Sequence, residues 1–310
     1  MLTSFFGTSK PINFIAVVFL AVSFFLWVNL ENLGLHISGY KVLAQLGILL
    51  VYLFTIGVIN FVVKRNTLTK QNTYILFIFV CLSFAFSACF QHYSVIIAGL
   101  FLMLALRRII SMRSQIEVKK KIFDAAFWIA IASIFYFWSL LFLVVLYMGI
   151  LFHGTTTYKN WLIPLLSILI VMLFCFTYSL YNGGVFNFVN SYFERPVLDF
   201  TAYSKPGLLI PLSVVATLYI WCLIKYIALI SSTSQKHKSS YILIITSSIV
   251  TLLIAVVFAP VHDGSEIYFF LGPLAIITAR YIEKSEGFWF KEMILIMTFA
   301  LPPFVILFAQ

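Results

Sequence analysis

The stretch "VHDGSE" places His262, Asp263 and Glu266 within five positions, with apolar runs on both sides. An imidazole beside two carboxylates is equipment for general acid–base chemistry, which needs one tuned group within reach of a transferable proton. Other ionisable residues of the same kind are spread along the chain: Glu31 and His36, His92, then Glu194, Arg195, Asp199 and Lys205. Arg195 and Lys205 suit a different task, holding an anionic headgroup or a lipid phosphate. Each residue also has a plain explanation. Asp263-Gly264 is a turn dipeptide. Glu266 opens a helix, where a carboxylate is electrostatically favoured. A Glu194–Arg195 surface pair is worth little, and acids in short loops keep those loops wet.

The elements that carry these residues follow from composition. The 310 residues are 63% hydrophobic and 10% charged, with a mean hydropathy of +1.07. That is too little charge to cover a soluble core, so lipid must be the solvent for most of the surface. Membrane lipids are therefore expected partners. The net charge of +10 reports topology rather than nucleic acid, because basic residues gather on the cytoplasmic side of membrane proteins. No Gly-rich phosphate loop or RNA-binding aromatic pattern accompanies it, and no nucleic-acid partner is expected. Cys81, Cys89, Cys175 and Cys222 lie in or beside apolar segments without a CxxC pair. They read as small buried hydrophobes. The dispersed outer histidines and acids form no metal motif, so neither metal nor cofactor is expected.

The fold expected is an all-α polytopic transmembrane bundle, one integral membrane domain over residues 1–310. Lys10 precedes a first apolar run, Ile12 to Leu30, with no cleavage site after it, so this run reads as a retained span. Spans follow at about 43–63, 73–90, 93–106, 122–137, 139–153, 160–181, 207–230, 241–259, 267–282 and 288–308. The apolar block from Ile122 to Phe152 is too long for one helix across roughly 30 Å of hydrocarbon at about 1.5 Å per residue. It is split near Phe137-Trp138-Ser139. About eleven spans result, with the N-terminus in and the C-terminus out. Seventeen of the 20 Lys and Arg then face inward, and only Lys41, Arg195 and Lys205 face outward. That asymmetry agrees with the positive-inside rule, and a different split would destroy it.

This topology places half of the ten carboxylates and three of the five histidines outside. The segment 107–121, "RRIISMRSQIEVKKK", reads as a basic inner surface lying on anionic headgroups. The segment 231–240 reads as a polar inner loop, and Asp124 as a carboxylate at the start of a span. The longest outer element is the loop at 182–206. Gly183-Gly184 permits a sharp exit from a helix, and Phe186, Phe188, Tyr192 and Phe193 make an interfacial segment. This loop reads either as an aromatic anchor or as a lid over an outer cavity.

The run 123–184, from "FDAAFWIAIASIFYFW" to "FTYSLYNGG", resembles the middle region of GT-C fold glycosyltransferases, membrane enzymes that use polyprenyl-phosphate-linked sugars. "EIYFFLGPLAIITARYIE" (266–283) is similar to that fold's penultimate hairpin, with Pro273 in its outer third. "SFFGTSKPINF" (4–14) also looks like an uncharacterised family of Bacteroidota inner-membrane proteins. The resemblance covers about half the chain and implies a transferase with a polyprenyl-phosphate-linked donor on the outer face of a bacterial inner membrane. The GT-C enzymes carry an acidic pair or an Asp in a sizeable first outer loop. Here that loop, 31–41, has the single acid Glu31, with His36 nearby. By position Glu31 is the candidate base, supported across a cavity by Glu266, His262 and Asp263, while Arg195, Lys205, Glu194 and His36 would contact substrate. Two other functions stay open: a non-enzymatic subunit of a cell-envelope assembly with a protein partner, and a transporter. The transporter ranks last, because the span interiors hold almost none of the ionisable groups such proteins use.

Overall fold

The computed structural model describes residues 1–29, 39–153, 158–181, 192–193, 195–232, 235–285 and 287–308. Backbone N–H and C=O groups in hydrocarbon must be satisfied within the segment, which leaves helices as the solution for a chain this apolar. The described residues accordingly form helices and no strand. In chain order the helices are α1 (Leu2–Phe6), α2 (Pro11–Val28), α3 (Gly39–Asn66), α4 (Tyr74–Ala85), α5 (Tyr93–Ser111) and α6 (Val118–Phe135). After them come α7 (Leu143–His153), α8 (Lys159–Tyr181), α9 (Pro206–Ser232), α10 (Gln235–Val256), α11 (Tyr268–Lys284) and α12 (Phe288–Phe308).

The interruption expected near residues 137–139 is present. A 3₁₀ stretch, Phe137–Phe142, separates α6 from α7. Seven helices, namely α2, α3, α5, α8, α9, α10 and α12, are long and apolar enough to cross a membrane.

Burial explains why some of the others are shorter. All twelve residues of α4 are buried, and α4 packs against α11, α12 and α2. At about 1.5 Å per residue it rises only about 18 Å. A helix that short is tolerated at membrane depth when protein rather than lipid surrounds its ends. Helix α11 is also buried along nearly its whole length. The outer helices show the opposite pattern. On α8, Leu162, Leu165, Leu169, Met172 and Phe176 are all more than half exposed. An apolar face of that extent belongs in lipid.

Three local expectations change. The fifth helix runs to Ser111 rather than ending near 106. Arg107 and Arg108 extend it because their long stems lie along apolar surface while their heads stay polar. The Arg107 guanidinium sits 4.2 Å over the Phe61 ring. Asp124 does not open its helix, which starts at Val118. It sits in the second turn and pairs with Arg108 at 3.1 Å. Outside the undescribed residues 233–234, the segment 231–240 is helical, continuing α9 and beginning α10.

Contacts sort the helix ends into two groups. At one end Glu283 accepts from the Lys70 amide at 2.7 Å, from Asn72 and from Arg280 at 2.8 Å. At that same end Glu292 accepts from the Leu2 amide at 2.7 Å and from the Thr3 hydroxyl at 2.7 Å. The opposite end gathers the residues around His262.

Candidate functional site

The site begins with a turn. Between α10 and α11 the chain must reverse direction, and Gly264 at φ +93° supplies the left-handed residue this requires. Asp263 completes the turn by accepting the Ser265 amide at 3.0 Å. Its other oxygen lies 2.7 Å from His92 Nε2, immediately before α5. The turn is thereby fastened to a second part of the bundle. Ser265–Ile267 forms one 3₁₀ turn leading into α11.

This geometry sends Glu266 inward. It is 1% exposed and His262 is 6% exposed, and His262 Nδ1 lies 3.4 Å from Glu266 Oε1. The same carboxylate oxygen accepts the Tyr203 hydroxyl. Neither His262 nitrogen has a hydrogen bond among the described residues, and Glu266 Oε2 has none either. Buried polar atoms without partners are rare, and each calls for an explanation.

Tyr203 arrives on a strap formed by residues 195–205. Val197 N donates to Ala259 O at 3.1 Å, which docks the strap against the end of α10. Asp199 accepts the Thr201 amide at 3.0 Å and opens the 3₁₀ turn Thr201–Ser204. Phe200 covers His262 with ring centroids 4.7 Å apart. Beneath the strap lies a cavity of about 440 Å³ between α9, α10 and α11. Leu212, Val215, Leu252 and Phe270 make its walls, and His262 and Tyr203 stand at its polar end. The volume falls in the range of ligand pockets, about 300–1,000 Å³. Glu266 stands behind this wall, in contact through Tyr203 and His262. Two smaller apolar grooves, of about 260 and 320 Å³, have neither a histidine nor a carboxylate in their walls.

The two neighbouring acids are tuned in opposite directions. Burial pushes the Glu266 carboxyl above the usual range, and the charge of Asp263 adds to this, while the Tyr203 hydroxyl pulls it back in part. Burial also acts on Asp263, but the Ser265 hydrogen bonds and His92 outweigh it and hold that carboxyl low. Opposed shifts on adjacent carboxylates mark a candidate functional site, though ion-pair networks produce them as well.

Of the residues read from the sequence, Glu266 and His262 come together. Asp263 turns to His92 and serves the turn. Arg195 and Lys205 are exposed on the strap, without an ion pair among the described residues. Glu31, His36 and Glu194 lie outside the described residues. Tyr203 is the partner that sequence reading missed, and for His92, named among the ionisable residues, the tie to Asp263 was not foreseen. Neither tie carries a spacing signal, because each partner lies far from the 262–266 turn in sequence.

Apolar helices with lipid-suited outer faces, enclosing an ionisable cluster at one end, define a multi-pass helical membrane protein. The chain belongs to DUF6427, a family of unknown function, whose model matches residues 8–308. No curated protein and no solved structure matches it.

Proposed function

We propose that the protein binds a lipid-linked substrate beneath the 195–205 strap, on the outer face of a bacterial inner membrane, and catalyses group transfer from it. The observation that carries this reading is the unpartnered His262, buried at the polar end of an apolar cavity and backed by Glu266. The eleven-span arrangement with the N-terminus in, supported by the charge asymmetry, puts this end outside. Helices α2 to α12 correspond in order to the expected spans.

In the proposed reaction the carrier chain lies between Val215 and Leu252, and Arg195 and Lys205 hold its phosphate at the mouth. His262 Nε2 takes the proton of an acceptor hydroxyl. The hydroxyl oxygen bonds to the sugar's anomeric carbon as that carbon's bond to the phosphate oxygen breaks, and polyprenyl phosphate leaves with the electron pair. The Glu266 carboxylate, 3.4 Å from Nδ1, stabilises the imidazolium that forms by its charge, so it is a positioning residue, with Tyr203 holding its carboxylate. The GT-C resemblance of 123–184 and 266–283 agrees in reaction class. The catalytic weight moves from Glu31 to His262.

The test is turnover of polyprenyl-phosphate-linked sugars by the purified protein in vesicles, read as release of polyprenyl phosphate. His262→Gln should retain carrier binding and lose release by about 10²–10⁴-fold, the usual contribution of a general base. A wild-type protein that neither binds nor consumes any carrier would leave the envelope-subunit reading in its place.

A further inference from the structure

The opposite end of the bundle holds a second cavity of different chemistry. It measures about 660 Å³ and lies between the ends of α3 and α5 and the turn that leads into α6. Five cationic side chains line it: Arg65, Arg107, Arg108, Arg113 and Lys121. No carboxylate lines it among the described residues. Topology alone asks only that cations lie on this side of the membrane, not that five converge on one space.

Four of the five cations are also held in place. Arg107 is stacked on Phe61 at 4.2 Å, which occupies its face and leaves its in-plane N–H groups without a hydrogen bond among the described residues. Arg113 bonds His237 at 2.6 Å and the Asn66 carbonyl at 3.4 Å. Lys121 donates to the Ser111 carbonyl at 2.8 Å and to the Ser114 hydroxyl at 2.6 Å. Among the five, only Arg108 has a carboxylate at ion-pair distance, Asp124 at 3.1 Å. Like charges gathered this way repel one another, and a multivalent anion would relieve that repulsion.

The backbone around the cavity supplies an independent observation. Thr67, Gln115 and Glu117 are the three non-glycine residues with positive φ among the described residues, at +53°, +57° and +48°. Thr67 follows Asn66 of the cavity wall. Gln115 and Glu117 flank Ile116, another wall residue. Gln115 is fixed by donating to the His153 carbonyl at 2.9 Å. Such conformations persist where surrounding structure demands them, and they cluster at ligand clamps. Ile116 is 67% exposed and gives the rim an apolar edge beside the charges.

We infer that this inner cavity is a binding site for a phosphate-bearing anion, with Arg65 and Arg107 as its principal ligands. Guanidinium groups match phosphate oxygens in bidentate pairs, and Lys121 adds a point charge. The phosphate has two sources with the same recognition chemistry, a phospholipid headgroup and a soluble phosphate compound. The site stands apart from the outer cavity, so neither proposal depends on the other.

The experiment uses the full chain in neutral detergent. Inorganic pyrophosphate is titrated in one arm and phosphatidylglycerol in the other, with zwitterionic phosphatidylcholine as the reference of zero net charge, and affinity is read from thermal stabilisation. Stabilisation by pyrophosphate identifies a soluble phosphate compound. Stabilisation by phosphatidylglycerol alone identifies a headgroup. In either case Arg65→Gln with Arg107→Gln should weaken binding by about tenfold or more. Lys119→Gln with Lys120→Gln removes the same charge from outside the cavity and should leave affinity within about twofold. Should the first double variant fail to fold, the single variant Arg65→Gln carries the same test, because Arg65 is exposed and makes no hydrogen bond or ion pair among the described residues. The inference is overturned if neither anion stabilises the wild type, or if both double variants lose affinity equally.

Discussion

The Tyr203 hydroxyl donates to Glu266 Oε1 across 63 positions of sequence, and the same oxygen lies 3.4 Å from Nδ1 of His262. One carboxylate oxygen thus joins the strap, the turn and α11. Removing the hydroxyl leaves a buried carboxylate with one partner fewer. Tyr203→Phe should cost about 1–3 kcal/mol of stability, the usual penalty for orphaning a buried acceptor. Chemical denaturation would measure it. A change within about 0.5 kcal/mol would mean that the strap contributes packing alone.

The opposite tuning of Glu266 and Asp263 gives two separate pH windows. The Glu266 carboxyl is raised in the folded state, so the native protein binds its proton more tightly than the unfolded chain. The stability from this difference is full below the unfolded value and is lost as pH rises through the folded one. The Asp263 carboxyl is lowered, so its stabilisation is present above the unfolded value and is lost as pH falls through the folded one. Glu266→Gln should therefore flatten the stability profile above the ordinary carboxylate range, and Asp263→Asn should flatten it below. Melting curves across pH would separate the two windows. An unchanged profile in Glu266→Gln would contradict the buried placement.

Two ion pairs at the other end should differ in strength. Arg108–Asp124 is partly exposed, at 36% and 24% for the two side chains. Asp124→Asn should cost no more than about 1 kcal/mol. The Glu283 side chain is 3% exposed beside Arg280 and also accepts the Lys70 amide. Glu283→Gln should cost about 2–4 kcal/mol, because it leaves Arg280, whose side chain is only 16% exposed, without its countercharge. Equal costs for the two variants would refute this contrast.

Much of the architecture was legible because hydrophobic runs and loop charge are one-dimensional signals. The break at Phe137–Phe142 could be located because the run from Ile122 to Phe152 exceeds one bilayer crossing. Helices α4 and α11 were legible as apolar segments, but nothing in their composition set them at the centre and α8 at the edge. The turn at Asp263-Gly264 was legible from its dipeptide. Its ties were not. His92 meets Asp263 across 171 positions, and Tyr203 meets Glu266 through the docking of a strap, so both depend on tertiary arrangement. The convergence of Arg65, Arg107 and Lys121 on one cavity was hidden for the same reason, since each alone satisfies the charge rule for its side of the membrane.

Orientation can be checked at two exposed positions. Val261 lies at the His262 end and Ser114 at the basic end, and both are exposed. In a background freed of the native cysteines, Val261→Cys should react with a membrane-impermeant maleimide in intact cells. Ser114→Cys should react only after permeabilisation. The reverse pattern would put the His262 cavity on the cytoplasmic side.

The central claim is that a lipid carrier occupies the cavity beneath the strap, and cross-linking tests it most directly. A photoactivatable polyprenyl phosphate should attach to the walls of the 440 Å³ cavity, with adducts mapped by mass spectrometry to Leu212, Val215 and Leu252. Filling that space with Val215→Trp should remove those adducts while leaving labelling elsewhere unchanged. Adducts spread over the lipid-facing residues of α8, with none in the cavity and no effect of Val215→Trp, would contradict the account.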